Sequence, residues 1–117
     1  MAICGTGTEP AYLLQPTNAS IGLGNTITSS PYDVASSKGF AVQSVMDPNW
    51  SGAGCTLALQ ATLDGDAWAT IYTYTIPATA GDVLLWDVPE CAYRSIRVVY
   101  TCGLANAGTI TVKVWSK

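Results

Sequence analysis

The sequence predicts an all-β protein, and two observations support that prediction. Apolar and polar side chains alternate with a period of two in successive runs, most clearly over residues 55–63, and such alternation is typical of half-buried strands. No long window keeps a helical period, and turn residues separate the runs at intervals of about ten residues. Each such strand has an apolar face to bury, so we expect two antiparallel sheets packed as a β-sandwich of the jelly-roll or immunoglobulin-like type.

The first three predicted strands each end in turn residues. Residues 40–46 alternate up to Asp47-Pro48, where proline removes a backbone donor and bends the chain. Residues 55–63 keep the alternation up to Asp64-Gly65-Asp66. Residues 68–76 are rich in β-branched and aromatic residues. Strict alternation places the following residues of this third run on one side: Trp68, Thr70, Tyr72, Tyr74 and Ile76.

Three further strands complete the predicted sandwich. Residues 83–88 form a short apolar run that ends at Pro89, and residues 93–102 alternate again. Residues 109–115 close the fold. The residues of the last two strands that we expect in the core are Ile96, Val98, Tyr100, Cys102, Ile110, Val112 and Val114.

The N-terminal third differs in composition, being rich in Gly, Thr, Ser, Asn and Pro. We therefore expect residues 1–37 to form an extended N-terminal arm or edge strand and residues 38–117 to form the sandwich domain. Residues 1–16 favour an arm, whereas residues 21–27 fit an arm and a first strand equally well. The apolar anchors that we expect to bind a partner are Ile3, Tyr12, Leu13, Leu14, Ile21, Leu23 and Trp50.

The charge of the chain argues against two classes of partner. Only 11% of the residues are charged, and the net charge is -3 with five lysines and arginines. Such a surface has no field that attracts phosphates, so we expect neither nucleic acid nor an anionic membrane as a partner. We also find no signal-peptide pattern and no apolar run of transmembrane length, so we expect synthesis in the cytoplasm.

The four cysteines are expected to be reduced thiols in that compartment. Cys91 and Cys102 lie at opposite ends of one predicted strand, about 30 Å apart, so they cannot pair with each other. If oxidation did occur, Cys55 and Cys102 would be the pair, because they lie at the same end of a sheet. The chain has no CxxC motif and no histidine, so a zinc site would need all four scattered cysteines, and we expect none.

The aspartates of Asp64-Gly65-Asp66 raise the question of a metal site, a catalytic pair or a turn. Asp-Gly between two alternating runs predicts a type I′ hairpin turn. A calcium loop needs more oxygen ligands than the neighbouring residues supply, and the chain lacks a phosphate-binding loop. We therefore expect no metal, no cofactor and no catalytic residue.

Aromatic and arginine side chains leave two alternatives open. Trp68 and Trp86 fit packing within or between the sheets, but an exposed platform formed by Trp68 with Tyr72 and Tyr74 would suit a sugar ring. The residues Arg94 and Arg97 favour pairing with a nearby carboxylate over ligand recognition. Their candidate carboxylates are Asp82, Asp87 and Glu90.

Four segments resemble small β-sandwich structural proteins of tailed bacteriophages: "GFAVQSVMD", "TLALQATLDGDAW", "YRSIRVVYT" and "AGTITVKVWSK". The resemblance covers residues 38–117. It implies a non-enzymatic virion protein, such as a capsid decoration (cement) protein on the capsid exterior, assembled in the host cytoplasm. The implied partners are the major capsid protein and further copies of this chain. A tail or head-fibre protein that binds a host-surface glycan is the alternative that it implies.

Overall fold

A computed structural model describes most of the chain as strands. The described residues are 11–18, 21–22, 24–35, 37–46, 54–76, 83–90, 92–103 and 108–116. The strands are β1 Ala11–Asn18, β2 Thr26–Thr28, β3 Tyr32–Asp33, β4 Phe40–Met46, β5 Thr56–Thr62, β6 Ala69–Thr75, β7 Val83–Val88, β8 Ser95–Thr101 and β9 Thr109–Ser116. This confirms the all-β prediction. Over these ranges, the structure contains no helix that is long and apolar enough to cross a membrane.

The strands form two antiparallel sheets in jelly-roll order. One sheet has the order β1-β9-β4-β7 and the other the order β2-β8-β5-β6, with β3 also paired to β8. In an immunoglobulin-like sandwich the first two strands are neighbours in one sheet. Here β1 and β2 lie in different sheets, and strands from the two halves of the chain alternate, which is the jelly-roll arrangement.

The core lies between the central strands of the two sheets. Val42 of β4 and Val112 of β9 are fully buried, and so are Leu57 of β5 and Val98 of β8. Burying each aliphatic side chain of this kind contributes about 1.5–3 kcal/mol relative to leaving it exposed. The alternation seen in the sequence therefore becomes the interior of the sandwich.

The N-terminal segment supplies edge strands. Tyr12 of β1 pairs with Lys113 of β9, and Leu13 is buried in the core. β2 and β3 both pair with β8. Residues 11–16 therefore belong to the sandwich and not to a free arm, because β1 covers the open edge of β9 and buries Leu13. Residues 1–10 lie outside the described part of the chain, so an arm there, and the division at residue 37, stay predictions.

A β-bulge in β6 changes the faces that strict alternation predicts. Leu59 pairs with Tyr72, but the next residue, Gln60, pairs with Thr70, so Ile71 is an extra residue. An extra residue reverses the facing of everything on one side of it. Thr70 therefore lies on the opposite face of the sheet from Tyr72, and the prediction that both share one side is wrong.

Leu13→Ala tests the place of β1 in the core. We expect it to lower the free energy of unfolding by about 2–4 kcal/mol, because it deletes a buried side chain and leaves a cavity. The matched control is Leu63→Ala at a position that is 72% exposed, where we expect a change within about 0.5 kcal/mol. Denaturant unfolding followed by tryptophan fluorescence measures both. Equal stability of the two variants would contradict the inclusion of β1 in the sandwich.

Candidate functional site

The outward side chains of the four-stranded sheet form one continuous surface, which we call the outer face. Its members are Tyr12 on β1, Thr111, Lys113 and Trp115 on β9, Ala41, Gln43 and Val45 on β4, and Leu85 and Asp87 on β7. Val42, Val112 and Val114 alternate with them and are buried in the core. The period of two along a strand therefore directs the members of the outer face away from the sandwich.

The strand register aligns four of these residues in a row across the whole sheet. Tyr12 pairs with Lys113, Lys113 with Gln43, and Gln43 with Leu85. Directly opposite residues of antiparallel strands have neighbouring side chains on the same face. The row therefore places an aromatic ring, an ammonium group, an amide and an aliphatic side chain side by side.

Three large apolar side chains of the outer face are exposed. The exposed fractions are 51% for Tyr12, 64% for Leu85 and 38% for Val45. Trp115 is half-buried beside them. Single exposed apolar residues are ordinary on protein surfaces, so the outer face is a candidate site because several of them lie on one face of one sheet.

Two shallow hollows divide the outer face. One, of about 170 Å³, is lined by Ala41, Gln43, Leu85, Lys113, Val114 and Trp115. The other, of about 260 Å³, is lined by Tyr12, Pro16, Gln43, Val45, Thr111 and Lys113. Gln43 and Lys113 border both hollows, so their polar groups stand between two apolar depressions.

The outer face combines apolar groups with two polar side chains that can form contacts. The Lys113 ammonium lies 5.1 Å from the centroid of the Tyr12 ring, within the range of a cation–π contact. The Gln43 amide can donate and accept hydrogen bonds. Aromatic and aliphatic groups around these two polar side chains suit a ligand or protein surface that is partly apolar and partly polar.

The residues predicted to bind a partner are distributed over several environments. Tyr12 lies on the outer face, Leu13 is in the core, and Leu14 and Ile21 pack against the core. Ile3, Leu23 and Trp50 lie outside the described residues. Of the predicted anchors within the described ranges, Tyr12 is therefore the member of the candidate site.

Sequence reasoning missed Gln43, Leu85, Lys113 and Trp115. Lys113 and Trp115 alternate with buried valines, so the sequence could predict that their side chains point outward. Nothing in the sequence predicted that Tyr12 would lie beside them. Leu85 lies in the continuous apolar run Val83–Trp86, where alternation carries no signal. Only the strand order brings these residues onto one surface.

The Asp64 segment forms a loop that its own side chain closes. The Asp64 carboxylate accepts hydrogen bonds from the backbone N–H groups of Asp66 at 2.8 Å and Ala67 at 2.9 Å, and from the Thr62 hydroxyl at 3.1 Å. Gly65 has a φ of 89°, but Asp64 does not have a positive φ. A type I′ turn needs positive φ at both central residues, so that prediction is wrong and the connection is a longer loop.

These hydrogen bonds act on the ionised form of Asp64. The N–H groups of Ala67 and Asp66, followed by the Thr62 hydroxyl, hold the pKa of the Asp64 carboxyl below its usual range. No cluster of three or more histidine, cysteine, aspartate or glutamate side chains suited to a metal occurs among the described residues. Asp64 therefore has a structural role in the loop.

The described contacts of both arginines near this loop are with groups other than carboxylates, and Asp82, one of the predicted partners, lies outside the described residues. The Arg94 guanidinium donates to the Asp64 carbonyl at 3.0 Å. Arg97 Nε donates to the Gln60 side-chain oxygen at 2.7 Å, and its guanidinium carbon lies 4.2 Å from the Trp68 ring centroid. The described contacts of the arginines are thus structural, as expected, but they join a carbonyl, an amide and an aromatic ring.

Trp68, Tyr72 and Tyr74 do not form the exposed aromatic platform that the sequence left open as an alternative. Trp68 lies against Arg97 on the outward side of the five-stranded sheet. Tyr72 instead stacks on Trp86 of the other sheet, with ring centroids 5.9 Å apart and an interplanar angle of 22°. Trp86 therefore packs between the sheets, as the sequence favoured, whereas the same prediction is wrong for Trp68. The β6 bulge separates Trp68 from Tyr72.

Comparisons with solved structures show the same sandwich fold. XepA, described as a PBSX exported protein, matches with a TM-score of 0.64 at 16% identity over 100% of this chain and 40% of XepA. A CBM4 structure matches with a TM-score of 0.51 at 13% identity over 79% of this chain and 61% of that chain. A family 29 carbohydrate-binding module from Piromyces equi matches with a TM-score of 0.50 at 8% identity, covering 92% of this chain and 89% of the module.

These likenesses are structural. The chain spans about two fifths of XepA and three fifths of the CBM4 structure. No protein-family model matches the sequence, and no curated protein matches it. At these identities the similarity establishes a fold that this chain shares with an exported protein and with carbohydrate-binding modules.

Asp64→Ala tests the loop and its dependence on pH. We expect a lower melting temperature than wild type at pH 7, because the amides of Asp66 and Ala67 lose their acceptor. The pKa of Asp64 is lowered on folding, so its stabilisation is present above the ordinary value of 3.8 and is lost as the pH falls through the lowered folded pKa. The difference between variant and wild type should therefore narrow in acid. Asp66→Ala removes the same charge and is the control; an equal effect of both variants would contradict the role of Asp64.

Proposed function

We propose that this chain is a non-enzymatic virion structural protein of a bacteriophage, a capsid decoration protein that binds the major capsid protein and stabilises the shell. The observation that carries the proposal is the outer face, where Tyr12, Leu85 and Trp115 surround Gln43 and Lys113. The resemblance of residues 38–117 to β-sandwich proteins of tailed bacteriophages is the reason for proposing a bacteriophage virion. The proposed location is the capsid exterior, after assembly in the host cytoplasm.

The composition of the outer face suits docking on another protein. Interfaces concentrate their binding energy in a few aromatic and aliphatic anchors that become desolvated, with polar groups around them. Leu85 and Tyr12 provide exposed anchors at the two ends of the central row, and Trp115 provides a third. Lys113 and Gln43 between them have hydrogen-bonding capacity for polar groups of the partner.

A repetitive shell makes modest affinity sufficient. Each capsid offers many identical binding positions, and contacts between neighbouring copies of this protein would add avidity. Copies of this chain are therefore proposed as its second partner. An arm formed by residues 1–10, which includes Ile3, would extend the contact through additional apolar anchors and stays a prediction.

A glycan-binding role in a tail or head fibre is the second candidate, and one observation favours it. Tyr12 and Trp115 flank the amide of Gln43 and the ammonium of Lys113, and aromatic rings beside hydrogen-bonding groups suit sugar rings. The carbohydrate-binding module from Piromyces equi has a related fold. The target of this role would be a host-surface polysaccharide.

Leu85→Ala tests the outer face against a matched substitution. We expect it to weaken binding of the purified protein to capsids that lack it by roughly tenfold, because truncating an interface anchor costs more than about 1 kcal/mol. Leu63→Ala truncates a leucine of similar exposure in the β5–β6 loop, and this variant should bind as wild type does. Co-sedimentation with capsids measures both affinities. Equal binding of the two variants would place the contact elsewhere and contradict the proposed surface.

Copy number and sugar binding separate the two candidates. A decoration protein should be present in virions at a level comparable with the major capsid protein, as measured by gel densitometry. A few copies per virion, together with glycan-array binding that Trp115→Ala abolishes, would support the fibre role and overturn the decoration role.

A further inference from the structure

We propose that Cys55 and Cys102 are a modification site, at which an intramolecular disulfide forms when the folded protein meets an oxidising environment. Cys55 directly precedes β5, and Cys102 directly follows β8. The last residue pair of the β5–β8 ladder is Thr56 with Thr101. Continuing this register by one position places the two cysteines opposite each other.

The backbone hydrogen bonds define the kind of pair that they form. The Cys55 carbonyl accepts from the Ile76 N–H, on the β6 side of the strand. Cys102 uses both of its backbone groups on the opposite side, where its N–H donates to the Asn25 carbonyl and its carbonyl accepts from the Gly24 N–H. In an antiparallel ladder, the N–H and C=O of one residue point to the same neighbour. Cys55 and Cys102 are therefore a non-hydrogen-bonded pair.

A non-hydrogen-bonded pair has the spacing that a disulfide needs. Its Cα atoms are about 4.5 Å apart and its side chains approach each other closely. Disulfides span Cα separations of about 4.4–6.8 Å. The pair at Cys55 and Cys102 falls within this range, and its side chains lie closer together than those of a hydrogen-bonded pair.

Both thiols converge on the same interior space. Both cysteines are buried, and neither is in a disulfide. The Gly103 N–H donates to Cys55 Sγ at 3.1 Å, and the Cys102 thiol donates to the Gly103 carbonyl at 3.4 Å. Burial raises the pKa of the Tyr100 hydroxyl, and the neighbouring thiols of Cys55 and Cys102 raise it further. One glycine and one tyrosine thus contact both sulfur atoms, which brings the two side chains together.

The oxidant is a low-molecular-weight disulfide such as oxidised glutathione. The thiolate of one cysteine attacks it and releases one small thiol, forming a mixed disulfide; the second thiolate then displaces the other small thiol. The net reaction forms one protein S–S bond, and the two thiol protons leave with two reduced small thiols. Because both cysteines are buried, the first attack requires local opening of this end of the sheet.

The bond would join the two central strands of the five-stranded sheet and close a long loop, residues 55–102. Cross-linking a long loop stabilises the fold by restricting the unfolded chain. If the protein is part of a virus particle that leaves a reducing cytoplasm, the disulfide would form and stabilise the fold after the particle is released. That biological setting rests on the proposed function, whereas the thiol chemistry does not depend on what the outer face binds.

The test uses the 117-residue chain with Cys4→Ser and Cys91→Ser, so that Cys55 and Cys102 are the remaining thiols in it. The folded protein is incubated with oxidised glutathione and analysed by intact mass and peptide mapping. We expect loss of two hydrogen atoms, a Cys55–Cys102 cross-linked peptide, and a rise in melting temperature on the order of 10 °C that a reductant reverses. Oxidised and reduced forms have the same sequence, so the comparison needs no further variant to fold.

Three outcomes would overturn the proposal. The first is a stable mixed disulfide with glutathione on either cysteine, which would show that the two thiols do not meet. The second is a cross-link between different molecules, which would place the reactive thiols apart in one chain. The third is an intramolecular bond that lowers the melting temperature, because such a bond would have to distort the native sheet.

Discussion

The packing of β4 and β9 against β5 and β8 is the constraint on which the rest of the structure depends. Val42, Val112, Leu57 and Val98 are fully buried at this contact. Each of these four strands also pairs with a neighbour on both sides, so its backbone groups are used within the sheets. Among the described residues, no buried side-chain nitrogen or oxygen lacks a hydrogen-bond partner. These four strands therefore form the regular centre of the sandwich, and the irregularities in strand pairing occur at its edges.

The edge strands β1 and β6 contain irregularities in their pairing with the neighbouring strands. β1 has register irregularities after Tyr12 and after Leu14, and β6 has its bulge at Ile71. An edge strand pairs on one side, so an extra residue disrupts fewer hydrogen bonds there than in the centre. The Tyr72–Trp86 stack then bridges β6 and β7, which are the edges of different sheets on the same side of the sandwich.

The two outward surfaces differ because their aromatic side chains have different partners. On the five-stranded sheet, Trp68 is covered by the Arg97 guanidinium, which Gln60 holds in place. On the four-stranded sheet, Tyr12 keeps half of its surface exposed, and Leu85 keeps more. The outer face thus keeps exposed apolar groups on the strands themselves, whereas on the five-stranded sheet the exposed Leu63 lies in the β5–β6 loop. Gln60, Arg97 and Trp68 therefore form a structural cluster on the five-stranded sheet.

The sequence by itself determined the all-β class, the strand runs from Phe40 to Trp115 and most of the core, because a period of two records directly which side chains are buried. It also indicated that the aspartates of Asp64-Gly65-Asp66 serve a connection between strands. Tertiary structure alone decided the jelly-roll order, the inclusion of Leu13 in the core, and the bulge that separates Thr70 from Tyr72. It alone assembled the outer face as well, since Tyr12, Lys113, Gln43 and Leu85 become neighbours through pairings between distant strands. Local alternation contains no information about which strands pair, and that choice depends on the burial of all the apolar faces together.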